Sequence, residues 1–114
     1  LNNGAVIPDT DDLEKYWTDS DFVTHRAIAL TDNTIHLGEA MPHHFLFLGS
    51  FMAGGFLGGD LKFMDKWVSW HKPFVHRVED ILNLEVKPDN RWWKTVRELT
   101  ANRQNWLTTI TTYL

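Results

Sequence analysis

Phe45-Leu46-Phe47-Leu48-Gly49-Ser50-Phe51-Met52-Ala53-Gly54-Gly55-Phe56-Leu57-Gly58-Gly59 carries no charge, and no other stretch of the chain resembles it. As a helix these residues would be about 22 Å long, against about 30 Å for a bilayer core. The flanks supply the missing length. Asp60 and Lys62 are followed by Phe63, Met64, Trp67, Val68 and Trp70, so a helix over 42–70 could cross with its charges near one interface. The competing reading is a buried glycine-rich helix or loop in a small soluble protein. Inside the helix, Ser50, Gly54 and Gly58 recur every four residues, as do Gly55 and Gly59. That spacing makes a flat strip on which a neighbouring helix can pack closely. In water each glycine would weaken the helix by roughly 0.5–1 kcal/mol relative to alanine.

Outward from this run the charge is uneven. Residues 1–44 hold eight acids against Lys15 and Arg26, whereas residues 60–114 hold nine bases against seven acids. For a spanning protein the basic side is the retained side. The 71–114 part would then face a matrix, stroma or cytoplasm, and the acidic 1–41 segment would lie across the membrane. The alternative is an acidic tail on a soluble domain. The chain starts at Leu1, which leaves a removed targeting segment and a fragment as alternatives.

The size, 114 residues with 43 % hydrophobic content, suits one modest domain or one span with two flanks. Six tryptophans fit buried interfaces or membrane boundaries. The absence of cysteine excludes disulfide scaffolds, thiolate zinc sites and cysteine nucleophiles. A net charge of −4 without a basic run argues against nucleic acid as a partner.

In chain order, Thr10 can cap a short helix over 10–17, which Asp19, Ser20 and Asp21 interrupt. Residues 22–39 read as a hairpin about the loop Thr31-Asp32-Asn33 or, nearly as well, as a helix over 21–30. Helix or loop is preferred, because no third strand is available. Pro42 suits the first turn of the central helix, and Pro73 breaks the chain after His71. A shorter helix over 73–84 would carry Val75, Val78, Ile81, Leu82 and Leu84. Pro88-Asp89-Asn90 is a turn that leads into a final helix. There Trp92, Val96, Leu99, Arg103, Trp106, Ile110 and Tyr113 alternate at spacings of four and three, forming a partner-binding seam. The expected class is all-α: a short N-terminal helix, a central membrane-spanning helix over 42–70, and two amphipathic helices in 71–114.

Chemistry-bearing patterns are sparse. His43, His44, His71 and His76 could assemble a metal or haem site in space, but no H-E-x-x-H or E-x-x-H motif is present. His76 and Glu79 lie one helical turn apart and make a weak ligand pair. The acid pairs Asp11/Asp12 and Glu79/Asp80 read as solvated charge, and no nucleophile, P-loop or dinucleotide fingerprint occurs. No catalytic residue, metal ligand or cofactor is expected.

Arg77-Val78-Glu79-Asp80-Ile81-Leu82-Asn83-Leu84-Glu85-Val86-Lys87-Pro88, after a span and a tryptophan-bearing linker, is similar to cytochrome c oxidase subunit IV. The likeness covers about a tenth of the chain, and the charge bias runs opposite to that family's orientation. The resemblance implies a small accessory subunit of a respiratory assembly, structural rather than catalytic, in the mitochondrial inner membrane or another energy-transducing membrane. Its partners would be neighbouring subunits and the lipid bilayer. The alternatives are a soluble helical interaction domain and a small metal- or haem-dependent protein.

Overall fold

The computed structural model describes residues 4–41, 43 and 46–113, the last eight through their backbone alone. Helix α1 (Leu13–Thr18) starts at Asp12, whose carboxylate accepts from the Lys15 amide, so the cap is Asp12 rather than Thr10. Asp19 closes α1 by donating its amide to the Lys15 carbonyl. The same residue caps α2 (Ser20–Asp32) by accepting from the Phe22 amide at 2.8 Å. Residues 20–32 are therefore helix, and Thr31-Asp32-Asn33 is its end rather than a hairpin loop. Asn33 serves as its C-cap, and the Asn33 side-chain amide donates to the carbonyls of Ala5 and Ala29.

The expected all-α arrangement about a central spanning helix does not occur. Among the described residues no helix is long and apolar enough to cross a membrane. Within 42–70 the only described helix is α3 (Met52–Phe56), and a two-stranded antiparallel hairpin follows, β1 (Lys62–Phe63) with β2 (Ser69–Trp70). Pro42, His44 and Phe45 lie outside the described residues.

The glycines give the physical reason. Gly49 has φ +88° and Gly58 has φ +110°, left-handed values that end a right-handed helix on either side of α3. At the C-terminal end the Gly58 amide donates to Gly55 O and the Gly59 amide to Gly54 O at 2.9 Å. These are the paired bonds of a Schellman stop. Gly58 and Gly59, expected in the packing strip, thus form the helix stop.

Asp65 builds the hairpin turn, its carboxylate accepting from the amides of Trp67 and Val68, while the Met64 amide donates to Val68 O. The Trp17 indole donates to Asp65 O at 2.9 Å and fastens this turn to α1.

The expected 73–84 helix is also shorter. Residues 71–76 lie outside any helix or strand, and only a 3-10 helix, Val78–Asn83, follows. None of its residues is buried, so no tertiary face supports a full helix there. The last helix, α4 (Arg91–Tyr113), runs 23 residues as its periodicity predicts. Asn90 caps it, Oδ1 accepting from the amides of Trp92 and Trp93, while Nδ2 donates to Gly55 O at 3.0 Å. One side chain therefore ties the start of α4 to the glycine turn.

The core is small. Leu48, Leu61, Trp92 and Leu99 form its centre, with Val23, Met52, Phe56, Phe63 and Val96 packed around them. Trp17 stacks on Phe63 at 5.5 Å, and Phe63 meets Trp92 edge-on at 5.8 Å. The first part of the α4 seam is thus used inside the chain, against the turn containing α3 and the hairpin.

Candidate functional site: an aromatic cleft over the glycine turn

Two close approaches build the site. His71 lies over Gly54, where a β-carbon on the glycine would fall 2.7 Å from the His71 Cδ2 atom. At Gly59 a β-carbon would fall 3.0 Å from the Phe74 ring. Only glycine permits these contacts at 54 and 59, so the glycine run admits a neighbouring segment of its own chain rather than a second helix.

The His71 ring meets Phe51 at 5.5 Å and Phe74 at 5.4 Å. Its Nδ1 lies 3.0 Å from the Lys72 carbonyl, which can only accept, so Nδ1 carries the proton and Nε2 turns to Gly54. Beside this stack is an open cleft of about 420 Å³ whose walls include Phe51, Leu57, Trp70, Phe74, Val75 and Leu84. Such a cleft offers apolar area and little acid–base chemistry: the histidine's donor is satisfied by backbone, and no carboxylate bonds to it.

The chain has a second, more polar concavity. Asp9, Tyr16, Arg26, Lys66 and Trp67 line a cleft of about 260 Å³. Lys66 Nζ donates to Asp9 at 2.6 Å, which holds the Asp9 carboxyl below its ordinary value and raises the lysine. Arg26 lies over the Tyr16 ring at 4.9 Å.

The expected helix-packing residues do not share a face. Ser50 is exposed in the turn before α3, Gly54 touches His71, and Gly55 faces Leu61 and Trp92. Gly58 faces open space, and Gly59 faces Phe74. Of the expected seam, Trp92 and Leu99 are buried in this chain's own core, and Val96 packs against it. Arg103 is half-buried beside Val23, Ala27 and Leu46, and burial pushes its guanidinium below its ordinary value. The side chains of Trp106, Ile110 and Tyr113 lie outside the described residues.

The histidines do not converge. His36 and His43 line one cleft with Leu30, Ile35 and Met41. His71 sits in the aromatic stack, and His76 donates its backbone amide to Asp80. Among the described residues no group of three or more histidine, aspartate or glutamate side chains could hold a metal ion. His44 is outside them.

Phe51, Trp70 and Phe74 had no place in the sequence-level site. Their signal was the aromatic density of Trp70-His71-Lys72-Pro73-Phe74 next to a glycine run able to receive a ring. No family model, curated protein or solved structure matches the chain.

Proposed function

We propose that this protein is a non-catalytic interaction subunit, whose surface is completed by another polypeptide. The observation that carries this reading is area. The chain exposes 8400 Å², whereas a folded monomer of 13.3 kDa exposes about 6,500 Å². The excess, about 1,900 Å², exceeds the roughly 800 Å² that each partner buries in a standard protein–protein interface. Its radius of gyration, 16.9 Å, likewise exceeds the roughly 13 Å of a compact domain of this length. The surplus is rich in large apolar side chains: Leu82 is 86 % exposed, Trp67 82 % and Val78 78 %. Contiguous exposed apolar side chains mark docking faces, and Val78, Ile81 and Leu82 stand exposed on one short segment.

The accessory-subunit expectation is retained in its structural half. Its membrane half had depended on a spanning helix and on residues 77–88, which contain the exposed 3-10 helix. Membership of an energy-transducing complex therefore draws no support from the fold.

The test is native separation of extract from the source cells, with the chain followed by antibody. It is expected to migrate natively well above the mass of its own denatured polypeptide, and to cross-link from a photoreactive group at Leu82 to a second polypeptide. Native migration at the mass of the single polypeptide, without cross-links, would end the proposal.

A further inference from the structure

We infer that the occupant of the aromatic cleft is a second copy of this chain, related by a two-fold axis. Exposed Val78 and Leu82 of each protomer would enter the cleft of the other. This inference rests on the interaction-subunit reading and names the partner of that same surface.

Three observations lead to it. The first is self-complementarity. Val75 and Leu84 are both walls of the cleft, and the 3-10 helix Val78–Asn83 connects them. The two most protruding apolar side chains of this segment, Val78 and Leu82, therefore stand beside a concavity that is itself apolar. A two-fold interface needs projection and recess on one surface patch, because each protomer presents the same patch to the other.

The second observation is charge. The whole chain carries −4, which disfavours approach of two copies. Residues 70–88, however, hold Lys72, Arg77 and Lys87 against Glu79, Asp80 and Glu85, and residues 51–57 hold no charge. Two of those pairs are already joined, Arg77 to Glu79 at 3.4 Å and Lys87 to Glu85 at 3.8 Å. The face is thus neutral on a negative molecule, so the patch itself adds no repulsion between two copies, which approach there at the least electrostatic cost.

The third is area. The whole chain exposes about 1,900 Å² more than a compact monomer of its mass, which leaves room for the roughly 1,000–2,500 Å² per partner that obligate homodimers bury.

The experiment is sedimentation equilibrium of the purified 114-residue chain over a micromolar concentration series. The expected mass is twice 13.3 kDa. Leu82→Asp is expected to raise the dimer Kd by roughly 100-fold or more, because the substituted position occurs twice in a two-fold interface. It should leave the circular dichroism of the protomer unchanged, since Leu82 is 86 % exposed. Leu37→Asp, at a comparably exposed site outside the 70–88 segment, should leave the dimer intact.

The chain has no cysteine, which permits a second measurement. Leu82→Cys and Val75→Cys chains, mixed and oxidised, should form a disulfide-linked heterodimer. A monomer at all concentrations would overturn the second-copy inference while leaving the native-extract result to decide the interaction reading. A dimer indifferent to Leu82→Asp, one equally sensitive to Leu37→Asp, or one lacking the 82–75 cross-link would overturn the assignment of this face.

Discussion

Replacing Asn90 by alanine should remove two unlike interactions at once. Its Oδ1 accepts from the Trp92 and Trp93 amides, and its Nδ2 donates to Gly55 O. Loss of an N-cap costs about 1 kcal/mol, within a range of roughly 0.5–2. Loss of a hydrogen bond costs about 0.5–1.5 kcal/mol. The Gly55 carbonyl is not orphaned, because it still accepts from the Gly58 amide at 3.2 Å, so the lower half of that second range applies. The expected total is about 1.5–2 kcal/mol, a large share of the roughly 6–17 kcal/mol available to a domain of this length. Heat denaturation should show Tm falling by about 5–12 °C, read at one protein concentration because association also raises Tm. Asn90→Asp separates the two parts. It keeps the acceptor and adds a favourable charge at the helix start, worth about 0.3–1 kcal/mol, but loses the donor to Gly55. It should therefore retain most of the stability. An alanine variant within about 0.5 kcal/mol of the parent would refute both contributions, whereas an aspartate variant as unstable as alanine would refute the cap and leave the bond to Gly55 carrying the whole loss.

Other expectations follow from the same contacts. Leu99→Ala opens a cavity at one of the most buried positions and should cost about 2–5 kcal/mol; a urea-midpoint shift equivalent to under 1 kcal/mol would contradict the core described. Gly54→Ala should destabilise despite alanine's better helix propensity, by about 1–2 kcal/mol net, because the new methyl meets the His71 ring. Pairing it with His71→Ala should recover much of that loss, and simple additivity in the double-mutant cycle would remove His71 from the explanation. The Asp9 carboxyl, held below 3.8 by Lys66, contributes stability above the unfolded pKa that is lost as pH falls through its lowered folded value. Lys66→Met should return the NMR-measured Asp9 pKa toward 3.8 and flatten the acid limb of stability. An unmoved Asp9 titration would dissociate the pair.

How much of this was legible depends on the kind of information each element needs. The seam of α4 was readable because Trp92, Val96 and Leu99 recur at helical spacing and that same spacing places them on the core. The turn at Asn90 was readable because Pro88-Asp89-Asn90 signals a turn and cap locally, whereas Thr31-Asp32-Asn33 signalled a hairpin loop and is the end of α2. The central run was misread for a definite reason. Hydropathy and spacing treat Gly49 and Gly58 as small helical residues, but both adopt positive φ and stop the helix. The hairpin had a faint signal, a period of two with Leu61 buried, Lys62 exposed and Phe63 half-buried, and Asp65 at the turn. The longer apolar pattern of residues 45–59 outweighs that signal. The aromatic cleft was not legible, since it joins residues 51–57 to 70–84 and needs the glycine turn to bring them together. Val78, Ile81 and Leu82 had suitable spacing for a helix, yet with no face to pack on they stand exposed on a single 3-10 helix.

Asp19 has a consequence for the lengths this chain can tolerate. It ends one helix and begins the next, so α1 and α2 share a joint of a single residue with no slack. One added residue in α1 would turn its far end by about 100°. Trp17 would then swing away from Phe63 and from the hairpin turn that its indole holds. Length at this joint is therefore constrained more tightly than identity. Asparagine or serine could take over the cap at residue 19, whereas a one-residue insertion or deletion beside it would detach α1 from the rest of the fold.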